Sequence, residues 1–370
     1  MEEWISVLII GAIAAIVAFQ LGYMFFFFTA FPIVRWEEPE AEPVPVSLIV
    51  CARNELRNLQ EHLPLWLDQD HPDFELIVVN DRSWDASEAF LDEEAAKDHR
   101  IRVIHLHDHD RELVGKKFAL TLGIKAAKNE RVVLTDADCR PADASWLRRM
   151  ADRGDRPFFV LGYGAVQGGG ISGLLSEFET QMGALHWMSW SNRGLAYMGV
   201  GRNLSYTRSM FLGQENFSQY MHIACGDDDL LIQNALSTHK AYVRLHPKAW
   251  TFSSAKSDIS EMKGQMRRHM SAAVFYPFLP KFLLGLWGAT SLLYWLGVCV
   301  IPFFSFLWSP LIMGLLAARF VFFQLFMLIG SNRLGKWWMA LLAPVLEPLL
   351  LLMQLWVHAD NRINGIKKSW

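Results

Sequence analysis

Hydrophobic positions divide the chain into three regimes. From Trp4 to Val34 the sequence is apolar without a single charge. Between residues 45 and 255 short apolar runs alternate with amphipathic stretches. From Phe282 to Val357 the chain is apolar again, interrupted only by Arg319, Arg333, Lys336 and Glu347. A helix needs roughly 20 apolar residues to cross a bilayer core, so the first block (1–35) reads as a membrane anchor. A cleaved signal peptide would want a basic start, a shorter apolar core and a small-residue cleavage site. Here the start is Glu2-Glu3 and the block ends in bulky Phe residues before Pro32.

The C-terminal region (282–370) contains two clear spans, at 282–305 and 308–330. A third block, 337–357, carries Pro344, Glu347 and Pro348, and its pattern fits a crossing, a re-entrant segment or an interfacial helix. The spans show no evident pair of opposite charges. Arg35, Arg333, Lys336, Lys367 and Lys368 flank these blocks. The positive-inside rule places such residues in the cytoplasm, so a multi-pass protein of the cell membrane with residues 45–255 inside the cell is expected. Three full C-terminal crossings would leave the basic tail outside; a last block that does not cross removes that conflict.

The middle region alternates strand and helix patterns. VSLIV (46–50), FELIVVN (74–80), IRVIHL (101–106) and RVVLTDADC (131–139) are strand-like. Between them lie the helix-like stretches NELRNLQEHLPLWLDQ, DASEAFLDEEAAKD with Asp85 as cap, and KKFALTLGIKAAK. This alternation predicts an α/β domain with a parallel sheet covered on both faces. Ligands of such sheets sit beyond the carboxyl ends of the strands. The polar groups Arg53-Asn54-Glu55, Asn80-Asp81, and Asp136 with Asp138 all fall there.

Asp136 and Asp138 are separated by one small residue at the end of a buried run, and two like charges so close repel. Two readings fit. The carboxylates could take Mg²⁺ or Mn²⁺, which prefer oxygen ligands, or Asp138 could cap the helix expected near Pro141. Asp143 and Ser145 are better placed as caps. Downstream, CGDDDLLIQNAL (225–236) opens a helix pattern on three aspartates. Capping explains one or two of them, and crowding would raise at least one pKa toward that of a useful base. In SEMKGQMRRHMSAAVFY (260–276), Gln265, Arg268 and His269 share one face of an amphipathic helix next to the membrane segments. That pattern fits an interfacial helix (256–281) with snorkelling cations, or a polar face turned to an anionic ligand. QGGGISG (167–173) lacks the P-loop lysine-serine and reads as a flexible connection.

Composition narrows the classes. Hydrophobic residues make up 52% of the chain, an excess the apolar blocks account for, and the net charge is −3, so there is no basic field for nucleic acid. Cys51, Cys139, Cys225 and Cys299 are far apart, which argues against a disulfide framework or a zinc site.

Taken in order, these segments resemble the membrane-bound family 2 glycosyltransferases, the group of the cellulose, chitin and hyaluronan synthases. ARNE (52–55) resembles the segment after the first strand, NDRSWDAS (80–87) the DDxSxDxT motif with Asn80 for its first aspartate, and GKKFALTLGI (115–124) the GKxxALNxG motif. TDADC (135–139) matches DxD, GVGRNLSYTRSMF (199–211) resembles GxNxAxRR, GDDDLL (226–231) resembles [TG]EDxxL, and QMRRH (265–269) resembles QxxRW with His269 for tryptophan. The resemblance implies a GT-A domain over 45–255 that performs inverting transfer from a nucleotide diphosphate sugar, uridine rather than guanosine. It implies Asp136 and Asp138 as ligands of Mg²⁺ or Mn²⁺, and Asp228 as catalytic base, with Asp227 and Asp229 as the alternatives that spacing to the family motif disfavours. Arg53, Glu55, Asp81, Lys116, Asp136, Gln265 and Arg268 are then donor-binding. Arg202, Asn203, Asp227 and His269 fall on the acceptor side, with Trp187 and Trp190 either there or in packing. A histidine stacks less surface than a tryptophan, which favours transfer to a lipid-linked or membrane-proximal glycan over processive synthesis. Two rivals are a transporter subunit with a nucleotide-sensing domain, disfavoured by few spans and no charged pairs within them, and an inactive scaffold.

Overall fold

The computed structural model describes residues 2–31, 42–107, 116–151, 157–213, 232–233, 239–256, 258–304 and 308–364. After the N-terminal helix α1 (Glu2–Phe26) the chain alternates β1 (Val46–Ala52), α2 (Leu56–Leu67), β2 (Phe74–Asp81), α3 (Ser87–Lys97), β3 (Ile101–Leu106), α4 (Lys116–Ala126) and β4 (Arg131–Asp136). It continues through β5 (Cys139–Pro141), α5 (Trp146–Met150), β6 (Phe158–Gly162), β7 (Gly164–Gln167), α6 (Gly170–Asn192), β8 (Leu204–Thr207) and α7 (Arg208–Leu212). Then come β9 (Lys240–Arg244), β10 (Thr251–Ser254), α8 (Ile259–Ala272), α9 (Phe278–Val300), α10 (Pro310–Arg333) and α11 (Met339–Asn364).

Seven strands form the main sheet in the order β3-β2-β1-β4-β8-β6-β9, and β5-β10-β7 form a second, smaller one. The first four pair in parallel, as the alternation of strand and helix requires; β8 runs antiparallel to β4 and to β6. β1 and β2 are apolar almost throughout because both their faces are covered. Leu48 and Val50 point to one side, where Leu63 and Trp66 of α2 and Trp146 of α5 pack. Ile49 points to the other, with Ala119 and Ile124 of α4, and this second core continues through α6 into the membrane helices.

Among the described residues four helices are long and apolar enough to cross a membrane: Val7–Ala30, Phe278–Val300, Pro310–Arg333 and Met339–Ile363. The third C-terminal block is thus one continuous helix, carried through Pro344 and Pro348. The expectation that the spans hold no charge pair is corrected here. Arg319 of α10 donates to both carboxylate oxygens of Glu347 in α11, at 2.9 and 2.5 Å, and also to Gln20 of α1. The Gln20 amide in turn donates to Trp287 O, Thr290 Oγ1 and Ser291 Oγ of α9. The two charges lie 28 residues apart on different helices, so no local spacing marks them. One fully bonded network therefore ties all four helices together.

Candidate active site

The site begins where β4 stops. Register sets Asp136 beside Cys51 of β1, and Ala52 beside Asn80 of β2, so Arg53, Glu55, Asp81 and Asp136 leave the sheet along one rim. Two side chains of α2 brace the turn that follows. His62 Nδ1 donates to Ala137 O at 2.9 Å, and Trp66 Nε1 donates to Cys139 O at 3.3 Å. Held this way, ligand atoms of Asp136, Asp138 and Cys139 all lie within 4.8 Å of one another. Asp138 caps no helix: α5 starts at Trp146, and Asp143 Oδ1 accepts from Ser145 N and Oγ at 2.9 and 2.6 Å.

Two oxygens on one Mg²⁺ or Mn²⁺ stand at most about 4.2 Å apart, at about 2.1 Å from the ion, so two carboxylates held within 4.8 Å need only a small side-chain adjustment to share a hard divalent cation. The thiol is the poorest of the three partners for a hard cation, which prefers oxygen ligands. Burial pushes the Cys139 thiol up, and Asp138 and Asp136 push it further; the protonated group donates to Asp138 Oδ1 at 3.2 Å. Lys116, at the first position of α4, pairs with Asp136 at 2.6 Å. Glu55 lies close enough to feel the charges of Asp138, Asp136 and Lys256. Burial raises its carboxyl, a hydrogen bond donated by the Asn58 amide lowers it, Asp138 raises it again and Lys256 lowers it.

The neighbouring strand end is built on two loops laced together. Asn54 N donates to Ser83 Oγ, Asn54 Oδ1 accepts from Trp84 N, and Asp85 accepts from both Leu56 N and Ser87 N. Asp85 thereby starts α2 as well as α3. Asn54 and Arg82 both adopt left-handed backbone, at φ 55° and 54°, which asparagine accepts more readily than arginine. Asp81 is fully buried, pairs with Arg82 at 2.5 Å, and keeps a buried Oδ2 that has no hydrogen-bond partner. Burial raises its carboxyl, against the pull of Arg82 and Arg53. The Arg53 guanidinium lies 5.7 Å from the ring centre of Trp84, which is exposed.

On the far side of β4, Arg202 crosses Gly164, where a Cβ would come within 2.6 Å of its side chain. Its Nη1 donates to Ser253 Oγ, and its carbonyl accepts from Thr135 and Thr251. Glu179 of α6 feels this cation, yet burial pushes its carboxyl up to about 7. Asn203 is a correction to the acceptor set. It is fully buried; its amide donates to Tyr163 O and Ala249 O, and Oδ1 accepts from Trp146. A Cβ at Gly162 would come within 2.4 Å of it. Its side chain is thus engaged by the framework.

Trp187 and Trp190 resolve to packing: both are buried, and Trp190 stacks on Phe27 and donates to Tyr23 Oη. The glycine run is no loose connection either. A Cβ at Gly168 would meet Ala255 at 2.3 Å, and Glu177 accepts from Gly168 N.

Gln265 is half-buried on α8, whereas Arg268 and His269 are exposed. Asp227, Asp228 and Asp229 lie outside the described residues. Sequence reasoning missed His62, Trp66, Cys139 and Lys256. The first three act through the turn they support, and only the α2 pattern hinted at a buried aromatic. Nothing in the spacing marks Lys256, because β10 beside it is too short to read.

Residues 47–200 match the family model described as Glycosyl transferase family 2. Over 97 residues the chain is 34% identical to EpsH of Bacillus subtilis (strain 168), which bears a glycosyltransferase's name; the stretch covers 26% of this chain and 27% of that protein. Over 119 residues it is 31% identical to EpsJ, an uncharacterized glycosyltransferase of the same strain, covering 32% and 33%. The chain thus spans about a third or less of the length of these relatives. Among solved structures, the mannosyltransferase PcManGT of Pyrobaculum calidifontis, in complex with GDP-Man and Mn²⁺, superimposes with a TM-score of 0.59 at 16% identity. The match covers 96% of this chain and 99% of that one, and the shared fold is GT-A.

Proposed function

We propose that the chain, whose residues 47–200 match the Glycosyl transferase family 2 model, moves a sugar from a nucleoside diphosphate sugar to a lipid-linked or membrane-proximal glycan, with inversion at the anomeric carbon. One observation carries the reading: the Asp136 and Asp138 carboxylates converge at a braced turn, with Lys116 on Asp136. Like charges so placed repel unless a cation stands between or beside them, and Lys116 fills that role on the Asp136 side alone.

Asp136 and Asp138 would hold Mg²⁺ or Mn²⁺, which would supply charge neutralisation for the departing diphosphate. Lys116, Gln265 and Arg268 bind the same phosphates; a guanidinium suits them through paired N–H donors. Asp81 offers its unpartnered buried oxygen to an N–H of the nucleobase, since an acceptor left unmade at such a site is costly. Arg53 and Glu55 flank the nucleoside, which the family resemblance assigns to uridine. Asp228 is the base that takes the acceptor hydroxyl's proton as the oxygen attacks from the face opposite the leaving group. Arg202, Asp227 and His269 line the acceptor side.

The membrane arrangement is part of the proposal. Lys336, between α10 and α11, pairs with Glu177 of α6 at 2.6 Å. That contact supports a connection on the same side of the bilayer as the catalytic unit. With the basic residues Arg35, Arg333 and Lys336 there, the side is the cytoplasm and the membrane is the cell membrane.

Nucleoside diphosphate release tests the function. The detergent-purified protein is supplied with native lipid and a panel of UDP- and GDP-sugars. Release from one donor, abolished by chelation, is the expected result. Silence across the panel from folded protein contradicts the reading and favours a scaffold.

A further inference from the structure

Helix α8 has two opposed polar faces. At about 100° per residue, Lys263 and Arg267 share one side, and Gln265, Arg268 and His269 the other. Met262 and Met266, between them, are buried in the core. The lysine–arginine face does not meet solvent alone. Asp360, in the last turns of α11, pairs with Lys263 at 3.1 Å and with Arg267, and all three side chains are more than four-fifths buried. Lys263 Nζ also lies 3.8 Å from the ring centre of Trp356.

The other end of α11 is fastened to the catalytic unit as well. Lys336 pairs with Glu177. At Gly335, with φ +80°, a Cβ would stand 3.3 Å from the Trp250 ring, and Met339 is fully buried. The helix is therefore a strap anchored at both ends, and its Asp360 end grips the back of α8. Removing one member of a buried ion pair leaves uncompensated charge, so losing Asp360 would free α8 to turn about its axis. A turn displaces whatever the opposite face presents, and misplacement by about 1 Å can lower a reaction about 100-fold.

We infer that Asp360 is a positioning residue for the transfer reaction: through Lys263 and Arg267 it sets the rotation of α8, and so aims Arg268 and Gln265 at the donor's diphosphate. The inference rests on the proposed transferase reading. It gives the last apolar helix a part in donor binding in addition to anchoring.

The test compares binding of a nucleoside diphosphate and of the matching monophosphate, with Mn²⁺, to full-length protein in detergent and native lipid. UDP with UMP, and GDP with GMP, are both run. In Asp360→Asn the diphosphate should bind about tenfold more weakly, and the monophosphate nearly as in the wild type. Asp360→Glu should restore the diphosphate. In an Arg268→Ala background Asp360→Asn should add almost nothing, because the two act as one unit. Should Asp360→Asn not fold, Arg267→Gln, which keeps the Lys263 arm, makes the same comparison. Equal losses for both nucleotides, no loss, or full additivity with Arg268→Ala would overturn the inference. Wild-type protein that binds none of the four nucleotides would overturn the transferase reading beneath it instead.

Discussion

Lys116 Nζ stands 2.6 Å from Asp136 Oδ1, joining the start of α4 to the end of β4 at the point where a cation is proposed. On the proposed reading the lysine would compete with the metal for one carboxylate until a diphosphate offered it a better partner. A partly exposed pair of this kind is worth about 1 kcal/mol or less. Lys116→Met is expected to tighten Mn²⁺ binding by about threefold to fivefold without nucleotide, and to weaken diphosphate binding with Mn²⁺ present. Calorimetric titration separates the two. Weaker metal binding in the variant would mean that Lys116 supports the site only sterically.

Cys139 should behave as an inert hydrogen-bond donor. Burial and two adjacent carboxylates keep its thiol protonated, and the thiolate is the reactive form. A maleimide added to the native protein is expected to leave Cys139 unlabelled, as mass spectrometry of its peptide would show, and to reach it only after denaturation. Labelling in the folded state would contradict the assigned proton and its bond to Asp138.

The ion pair inside the membrane region should show a sharp asymmetry between single and double replacement. Glu347→Leu leaves the Arg319 cation buried and is expected to destabilise by about 3–5 kcal/mol. Arg319→Met with Glu347→Leu removes both charges and should recover most of that loss. Thermal unfolding in detergent distinguishes the outcomes; equal losses would mean that Arg319 finds water.

His186 gives a pH signature. Buried among aromatic rings, it accepts from Tyr23 Oη, which itself receives the Trp190 N–H. Burial lowers its pKa from 6.5 to about 3. The unfolded chain then takes up a proton that the folded one refuses, so the contribution is intact above pH 6.5 and lost progressively from 6.5 down to about 3. Between pH 6.5 and 5 the loss is about 2 kcal/mol. Wild type should lose more melting temperature over that interval than His186→Gln, and parallel curves would count against a neutral buried imidazole.

What the sequence revealed and what it hid follow from the range of the interactions. The strands at 46–50 and 74–80 were legible because burial on both faces leaves nearly continuous apolar runs, whereas 101–106, a partly exposed edge strand, was legible from Ile101, Val103 and Ile104; the structure extends the three by two residues at most. The run at 131–139 breaks at Asp136 and resumes as β5, since the turn that brings the carboxylates together must interrupt the strand. The short strands from β5 to β10 carry no readable period. Asp85 was legible as a cap for α3, but its second role at Leu56 spans 29 residues. Asn203 misled because a polar residue in an acceptor-like motif looks available until the carbonyls of Tyr163 and Ala249 are seen to close on it. The bond from Arg319 to Gln20 spans 299 residues, and only the folded chain displays it.

The central claim is that the Asp136–Asp138 turn is a metal–diphosphate site. The most direct measurement is equilibrium binding of UDP and of GDP, with Mn²⁺, with Mg²⁺ and with chelator, to wild type and to Asp138→Asn. Metal is predicted to tighten binding of one of them by at least about tenfold in the wild type, and to change it little in Asp138→Asn. Binding that is equally tight with metal and with chelator, in both proteins, would contradict it.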